Sequence, residues 1–214
     1  MHKKTTSGAV QVEASHYRFQ SYTDLPRWTS YWHQITETLA LAPKTALIIG
    51  VGDNIVGNIL AAQGVQVYTF DFDQNLHPDF EGDVANIDAI LGGNRFDVIL
   101  CCQVLEHLPH DKFENILQQL AQHAGNIIIS LPYSAMKYKF EIKLPVIKTI
   151  KADVYVHKFF KKHTFDGEHY WETGTRGHTK RSVLNSMKKF FSVEKCYVAP
   201  YNPYHLFFIL RKKT

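Results

Sequence analysis

Apolar residues along the chain fall into two alternating patterns, short unbroken runs and stretches in which they recur every three or four positions. The runs are ALIIG (46–50), VQVYTF (65–70), FDVILCC (96–102) and NIIISLP (126–132). Between them, NIVGNILAAQ (54–63) and DKFENILQQLAQH (111–123) carry helical spacing. Strands that are apolar throughout, rather than at every second position, are buried on both faces, and helices between them supply the cover. The pattern predicts an α/β fold, a doubly wound and mostly parallel sheet.

The flanks read differently. Residues 1–15 are small, polar and basic, and are expected to be loose. PRWTSYWHQITETLAL (26–41) places Trp28, Tyr31, Trp32, Ile35 and Leu39 at helical steps, which predicts a capping helix with those residues on its buried face. At the other end Thr179 caps a helix KRSVLNSMKKF, followed by strands SVEKCYVA and YHLFFILRK. Their short connection through Pro200 and Pro203 requires an antiparallel pair, because a parallel pair needs a long crossover. The expected organisation is an arm and capping helix over 1–43 and a main domain over 44–214. Within it, 133–178 is a segment without clear periodicity, expected to be a lid or substrate insertion.

Composition narrows the class. At 214 residues, 45% of them hydrophobic and 21% charged, the chain can form a sizeable core. The net charge of +4 is a mild excess, so nucleic acid is not the expected partner. Three cysteines in no paired spacing, no apolar leader and no eighteen-residue apolar stretch point to a cytoplasmic protein without a transmembrane segment. Cys101 and Cys102 sit in an apolar strand and read as core. His157, His163, His169 and His178 match no compact ligand spacing, so no metal is expected.

Ligands of open parallel sheets bind beyond the carboxyl ends of the strands. After the first strand stands Gly50-Val51-Gly52-Asp53-Asn54, a turn that lets backbone approach a ligand. The dinucleotide fingerprint wants a third Gly at 55, where Ile55 stands, so a nicotinamide cofactor is disfavoured. Asp71 lies twenty-one residues beyond Gly50, where a carboxylate can accept from a ribose diol or, more simply, start a turn. Asp73 reads as a solvated turn residue.

In their order, IIGVGDN, VYTFDFD, PDFEGDV, FDVILCCQVLEHL and NIIISLPYS make the chain resemble the class I methyltransferases that use S-adenosylmethionine. The resemblance implies a Rossmann-like methyltransferase fold. It also implies that Gly50 and Gly52 lie beside the methionine part of the cofactor and that Asp71 binds the ribose. Asp83 and Val84 would reach the adenine, and Gln103 would lie beneath the transferable methyl. The chain departs from the family pattern at Ile48, where an acid is common, and at Asn54, where a third Gly is common; Asn tolerates positive φ, so Asn54 is expected to stay among the cofactor-binding residues, as a positive-φ residue or one facing the cofactor without clash. Only eleven residues separate Asp71 from Asp83, which leaves room for a loop and a short strand at DFEG but not for the usual helix.

The expected activity is methyl transfer from S-adenosylmethionine to a small-molecule, glycan or lipid-linked acceptor, with an anionic one suited to the basic segment 137–162. His107 is a conceivable base, although Glu-His at this place can be purely positional. His169, in Glu168-His169-Tyr170-Trp171-Glu172, could line the acceptor side. Lys137–Lys162 holds eight lysines interleaved with aromatics, suited either to a solvated loop or to a lid over an anionic acceptor. Alternatives are a methyltransferase-like module without turnover and, less favoured, a nicotinamide-dependent oxidoreductase. Oligomeric state, acceptor identity and methylated atom are left open.

Overall fold

The computed structural model describes residues 17, 19–144, 147–157 and 162–213, so the expected loose arm and residues 158–161 of the basic segment lie outside the described residues. Strands β1 (Thr45–Ile49), β2 (Gln66–Asp71), β3 (Phe80–Glu81), β4 (Phe96–Cys102) and β5 (Ala124–Pro132) are parallel. Two later strands, β8 (Phe191–Val198) and β9 (His205–Lys212), complete the sheet antiparallel. The order β3-β2-β1-β4-β5-β9-β8 reverses direction between β1 and β4. Each apolar run feeds both faces, since successive side chains point to opposite sides. Leu47, Ile49, Ile99 and Ile127 face one core, while Ala46, Ile48, Val98 and Ile128 face the other.

Helices α4 (Ile87–Leu91), α5 (Phe113–His123) and α6 (Lys180–Phe190) contribute to the first core, and α3 (Ile55–Ala62) to the second. In α5 the buried Phe113, Ile116, Leu117, Leu120 and Ala121 follow the helical spacing seen in the sequence. Thr179 caps α6, its hydroxyl oxygen accepting from the Ser182 N–H at 3.1 Å. As expected, DFEG holds only the two-residue β3.

Helix α2 (Leu25–Ala40), preceded by a single turn α1 (Phe19–Tyr22), covers the second face, and Tyr31, Ile35 and Leu39 pack against that core as their spacing predicts. Trp28 and Trp32 do not: they are 44% and 58% exposed, and the buried positions are Ser30, Tyr31, His33, Gln34 and Thr38. Hydrogen bonds explain the shift. Asn202 Nδ2 donates to Ser30 Oγ at 2.9 Å, Tyr197 Oη to Glu37 at 3.1 Å, and Tyr31 Oη to Asp53 at 2.6 Å. A polar seam in α2 meets polar groups on three separate elements and turns the helix so that the two Trp fall outside the buried face.

The unassigned segment resolves into two unlike parts. Strands β6 (Ala135–Leu144) and β7 (Ile147–His157) pair antiparallel as a separate hairpin leaving the carboxyl end of β5. Met136, Tyr138, Phe140 and Ile142 alternate along β6 and are exposed. The following chain then returns to the core at Trp171, which is fully buried. Its indole N–H donates to the Leu108 carbonyl at 3.1 Å, and its ring meets Phe113 edge-on at 5.2 Å. Thr173 bridges to Tyr133 at the end of β5. Among the described residues, no helix is long and apolar enough to cross a membrane.

Trp171 therefore anchors the second part of the segment. Trp171→Ala is expected to lower unfolding free energy by about 3–5 kcal/mol, the usual loss for a buried Trp truncation, measured by urea denaturation. A loss below about 1 kcal/mol, the level of ordinary surface changes, would show that the segment is not part of the cooperative core.

Candidate active site

Beyond the carboxyl ends of the central strands, at the point where the strand order reverses, lies a cavity of about 580 Å³. Such switch points are where open α/β sheets bind ligands. Its floor is the turn after β1. Gly50, at φ 84°, donates its N–H to the Phe70 carbonyl at 2.9 Å, and a Cβ here would lie 2.7 Å from Cγ2 of Val104. Glycine alone lets the turn after β1 and the turn after β4 come this close.

Asp71, at the end of β2, is 6% exposed and joins the two neighbouring turns. Its carboxylate accepts the Val51 N–H at 2.7 Å and the Asp73 N–H at 2.9 Å. Burial pushes its carboxyl above the usual range, against the lowering effect of those backbone N–H groups. A carboxylate has about four lone-pair sites, so accepting two backbone bonds leaves capacity for a diol. Asp73, expected to be solvated, is buried at 4%, because its carboxylate turns inward to cap the next turn and accepts from the Asn75 N–H at 3.0 Å.

Gly50, Gly52, Asp71, Asp83, Val84 and Gln103 all line this one cavity, as do His107 and His169. Asp83 Oδ1 accepts the Ala85 N–H at 2.8 Å, which opens a helical turn at Val84. Gln103 takes φ 57° and donates Nε2 to Ser130 Oγ at 3.2 Å. Asn54 is the exception. It takes the expected left-handed conformation, φ 53°, but it is not among the cavity-lining residues, and its side chain lies against Gly57 of α3. Its left-handed backbone turns the chain into α3. Cys101 is core, whereas half-buried Cys102 forms part of the cavity wall, its thiol pushed up to about 12 by burial.

The other end of the cavity joins residues from the turn after β4 to the chain after the hairpin. No described residue of β6 or β7 lines the cavity; Asp166, Glu168 and His169 do. Tyr170 donates its N–H to the Glu106 carbonyl at 2.8 Å, and His107 Nδ1 lies 3.0 Å from the Glu168 carbonyl. The His107 and His169 rings meet edge-on at 4.9 Å. Beside His169, Tyr204 Oη donates to Glu172 Oε1 at 2.6 Å and lies 3.3 Å from His169 Nδ1. The His169 bond holds the Glu172 carboxyl down at about 2. Burial lowers the pKa of both imidazoles, but for His169 the Glu172 bond and neighbouring carboxylates outweigh it and the net shift is upward. Glu106 is fully buried, neither carboxylate oxygen has a hydrogen-bond partner among the described residues, and burial pushes its carboxyl up to about 8.

Sequence reasoning missed two of the groups here. Arg27 reaches the cavity from α2, stacks on the Tyr22 ring at 3.6 Å, and has a buried Nε without a hydrogen-bond partner among the described residues. Just past Pro26, it reads in the sequence as any solvated basic residue. Tyr204 carries no spacing signal, since it meets His169 and Glu172 from more than thirty positions away; Glu172 itself closes the stretch expected to line the acceptor side.

The family model described as a methyltransferase domain matches residues 16–166. No curated protein sequence matches the chain. Among solved structures, the glycopeptide N-methyltransferase MtfA complexed with S-adenosylhomocysteine is 13% identical, with 90% of this chain and 91% of that chain covered at a TM-score of 0.59. A S-adenosylmethionine-dependent methyltransferase from Clostridium acetobutylicum is 9% identical, with 94% and 96% covered at 0.58. The 1,6-didemethyltoxoflavin-N1-methyltransferase of Burkholderia thailandensis is 16% identical, with 94% and 85% covered at 0.59. With the family model spanning most of the chain and the fold shared along nearly its whole length, the chain belongs to the methyltransferase domain family.

Proposed function

We propose that the protein transfers the methyl group of S-adenosylmethionine to an oxygen or nitrogen nucleophile of a small-molecule, glycan or lipid-linked acceptor. The observation that carries this reading is the convergence of Gly50, Gly52, Asp71, Asp83, Val84 and Gln103 on one cavity at the switch point. Relatives of the same fold support the cofactor, since MtfA was crystallised with S-adenosylmethionine and the toxoflavin enzyme with both S-adenosylhomocysteine and its small heterocyclic acceptor.

The residues fit that cofactor. Asp71 offers a carboxylate to the ribose diol while its backbone bonds hold it in place. Asp83 and Val84 line the same cavity, and their carboxylate and backbone are the groups proposed for the adenine edge. Arg27, with its buried unpartnered Nε, is the cation for the methionine carboxylate. Bound there, S-adenosylmethionine supplies a sulfonium-activated methyl, whose C–S electron pair returns to sulfur as the bond to the acceptor forms. The protein's share is orientation and exclusion of water. An acceptor hydroxyl must also lose its proton, and His107 and His169 are the catalytic groups proposed for that end. The basic segment around the hairpin belongs to the acceptor side as an insertion that receives an anionic group; it supplies no cavity wall among the described residues.

Calorimetric titration should show binding of S-adenosylmethionine and S-adenosylhomocysteine and none of NAD; the reverse result overturns the reading. Asp71→Ala is expected to weaken S-adenosylhomocysteine by about 1–3 kcal/mol, the loss when hydrogen-bonded hydroxyls are left unpaired. Unchanged affinity in a variant with an unaltered circular dichroism spectrum would remove Asp71 from the ribose site. Arg27→Gln should weaken S-adenosylhomocysteine about tenfold, about 1.4 kcal/mol, and leave methylthioadenosine, which lacks the amino-acid group, unaffected. An equal loss for both ligands would place Arg27 away from the carboxylate.

A further inference from the structure

The hairpin of β6 and β7 is a part of the fold that the cavity does not use, since none of its described residues lines it. Its register sets apolar residues opposite apolar residues. Met136 pairs with Val156, Tyr138 with Val154, Phe140 with Ala152 and Ile142 with Ile150. Directly opposed residues of an antiparallel pair share a face, so these positions make one apolar side of the ribbon. Apart from Ala152, all of them are large hydrophobics exposed to solvent, from 39% at Val156 to 55% at Phe140.

The other side of the ribbon meets the domain. Tyr155, next to Val154 and so on the opposite face, is partly buried against the main core, and its ring lies 6.3 Å from that of Tyr133 just past β5. Ala135 packs against the same core. The hairpin is thus held at its root by one side and turns its apolar side to solvent. We propose that this apolar side docks the protein on an anionic lipid membrane surface.

Charge selects that occupant. Residues 137–162 hold eight lysines against Glu141 and Asp153, and lysines beside an apolar face attract anionic headgroups. Lys143, next to Ile142, is exposed. A second copy of this chain on the same face would bring lysines against lysines, and like charges across an interface oppose association. The chemistry of the face points the same way. Its one side-chain hydroxyl, that of Tyr138, donates to Met136 Sδ at 3.9 Å. Interfaces between folded proteins carry about one hydrogen bond per 100–200 Å², and these side chains offer next to none, whereas a bilayer asks for no such match.

The backbone sets the depth. A sheet of two strands has two open edges, and the hydrocarbon interior tolerates none, so the ribbon lies in the headgroup layer with its apolar side chains reaching the acyl boundary. The hairpin leaves the carboxyl end of β5, the end of the parallel strands at which the cavity lies. Docking therefore keeps that end of the sheet near the headgroups, where a lipid-linked acceptor presents its polar group. That consequence rests on the methyl-transfer reading; the docking rests on the hairpin alone.

Full-length protein is sedimented with vesicles of phosphatidylcholine alone and of equal parts phosphatidylcholine and phosphatidylglycerol, and S-adenosylhomocysteine affinity is measured by calorimetry on the same preparations. Binding to the mixed vesicles should exceed binding to the neutral ones at least about tenfold and should weaken as salt is raised. Phe140→Ser combined with Ile142→Ser should reduce it at least about tenfold, and Lys143→Glu at least about fivefold, with circular dichroism spectra and S-adenosylhomocysteine affinity unchanged. Should the double variant not fold, Val154→Ser gives the same readout from the same face. Absence of binding to the mixed vesicles, equal binding to the neutral ones, or binding indifferent to substitutions on the apolar side overturns the docking. A dimer in sedimentation velocity that the double variant dissociates, in a protein that ignores vesicles, overturns it in favour of a second copy. Vesicle binding by a wild type that takes no S-adenosylhomocysteine upholds the docking and overturns the methyl-transfer reading instead.

Discussion

Two chain reversals are held by one carboxylate. Asp71 accepts the Val51 N–H from the turn after β1 and the Asp73 N–H from the turn after β2, so the ends of two adjacent parallel strands share a single anchor. The turn after β1 in turn leaves no room for a side chain at Gly50, where a Cβ would lie 2.7 Å from Cγ2 of Val104 in the turn after β4. The carboxylate is nearly sealed from water, yet it borders the cavity, and a carboxylate has lone pairs beyond those two bonds with which to accept from a ligand there.

The central sheet was legible because buried parallel strands must be apolar on both faces, and FDVILCC and NIIISLP announce that directly. The cofactor end was legible for a related reason. Its residues sit at the ends of those strands, so locating a strand locates the residue that follows it. Asn54 was legible as a left-handed residue, since conformation is a local property, whereas the direction of its side chain depends on α3 and left no signal in the sequence. Helix α2 shows the opposite failure. Its strongest apolar residues, Trp28 and Trp32, remain exposed, because the covered face of the sheet offers Asn202, Tyr197 and Asp53, and polar residues of the helix match them.

The acceptor end was hidden by sequence distance and by burial. Nothing in Glu106 as a letter reveals that both of its oxygens lie out of water, and nothing in Tyr204 reveals that it meets Glu172. The return of the chain at Trp171 makes these meetings obligatory. Its indole bond to Leu108 pins the segment to the turn that carries Glu106 and His107. An insertion that reads in the sequence as a single basic loop therefore has two physical characters, an exposed hairpin and a buried clasp.

The contact between Asn54 and Gly57 makes these two positions a single unit of sequence variation. A Cβ on residue 57 would collide with Oδ1 of Asn54, so α3 accepts glycine in its first turn despite the loss of helix propensity of about 1 kcal/mol relative to Ala. Were position 54 occupied by glycine, that collision would vanish, and the nearest atom to a Cβ on residue 57 would be Cδ1 of Ile48, at 3.2 Å. The order of change therefore matters: alanine at 57 beside Asn54 meets the collision, whereas a history that replaces Asn54 by glycine first avoids it.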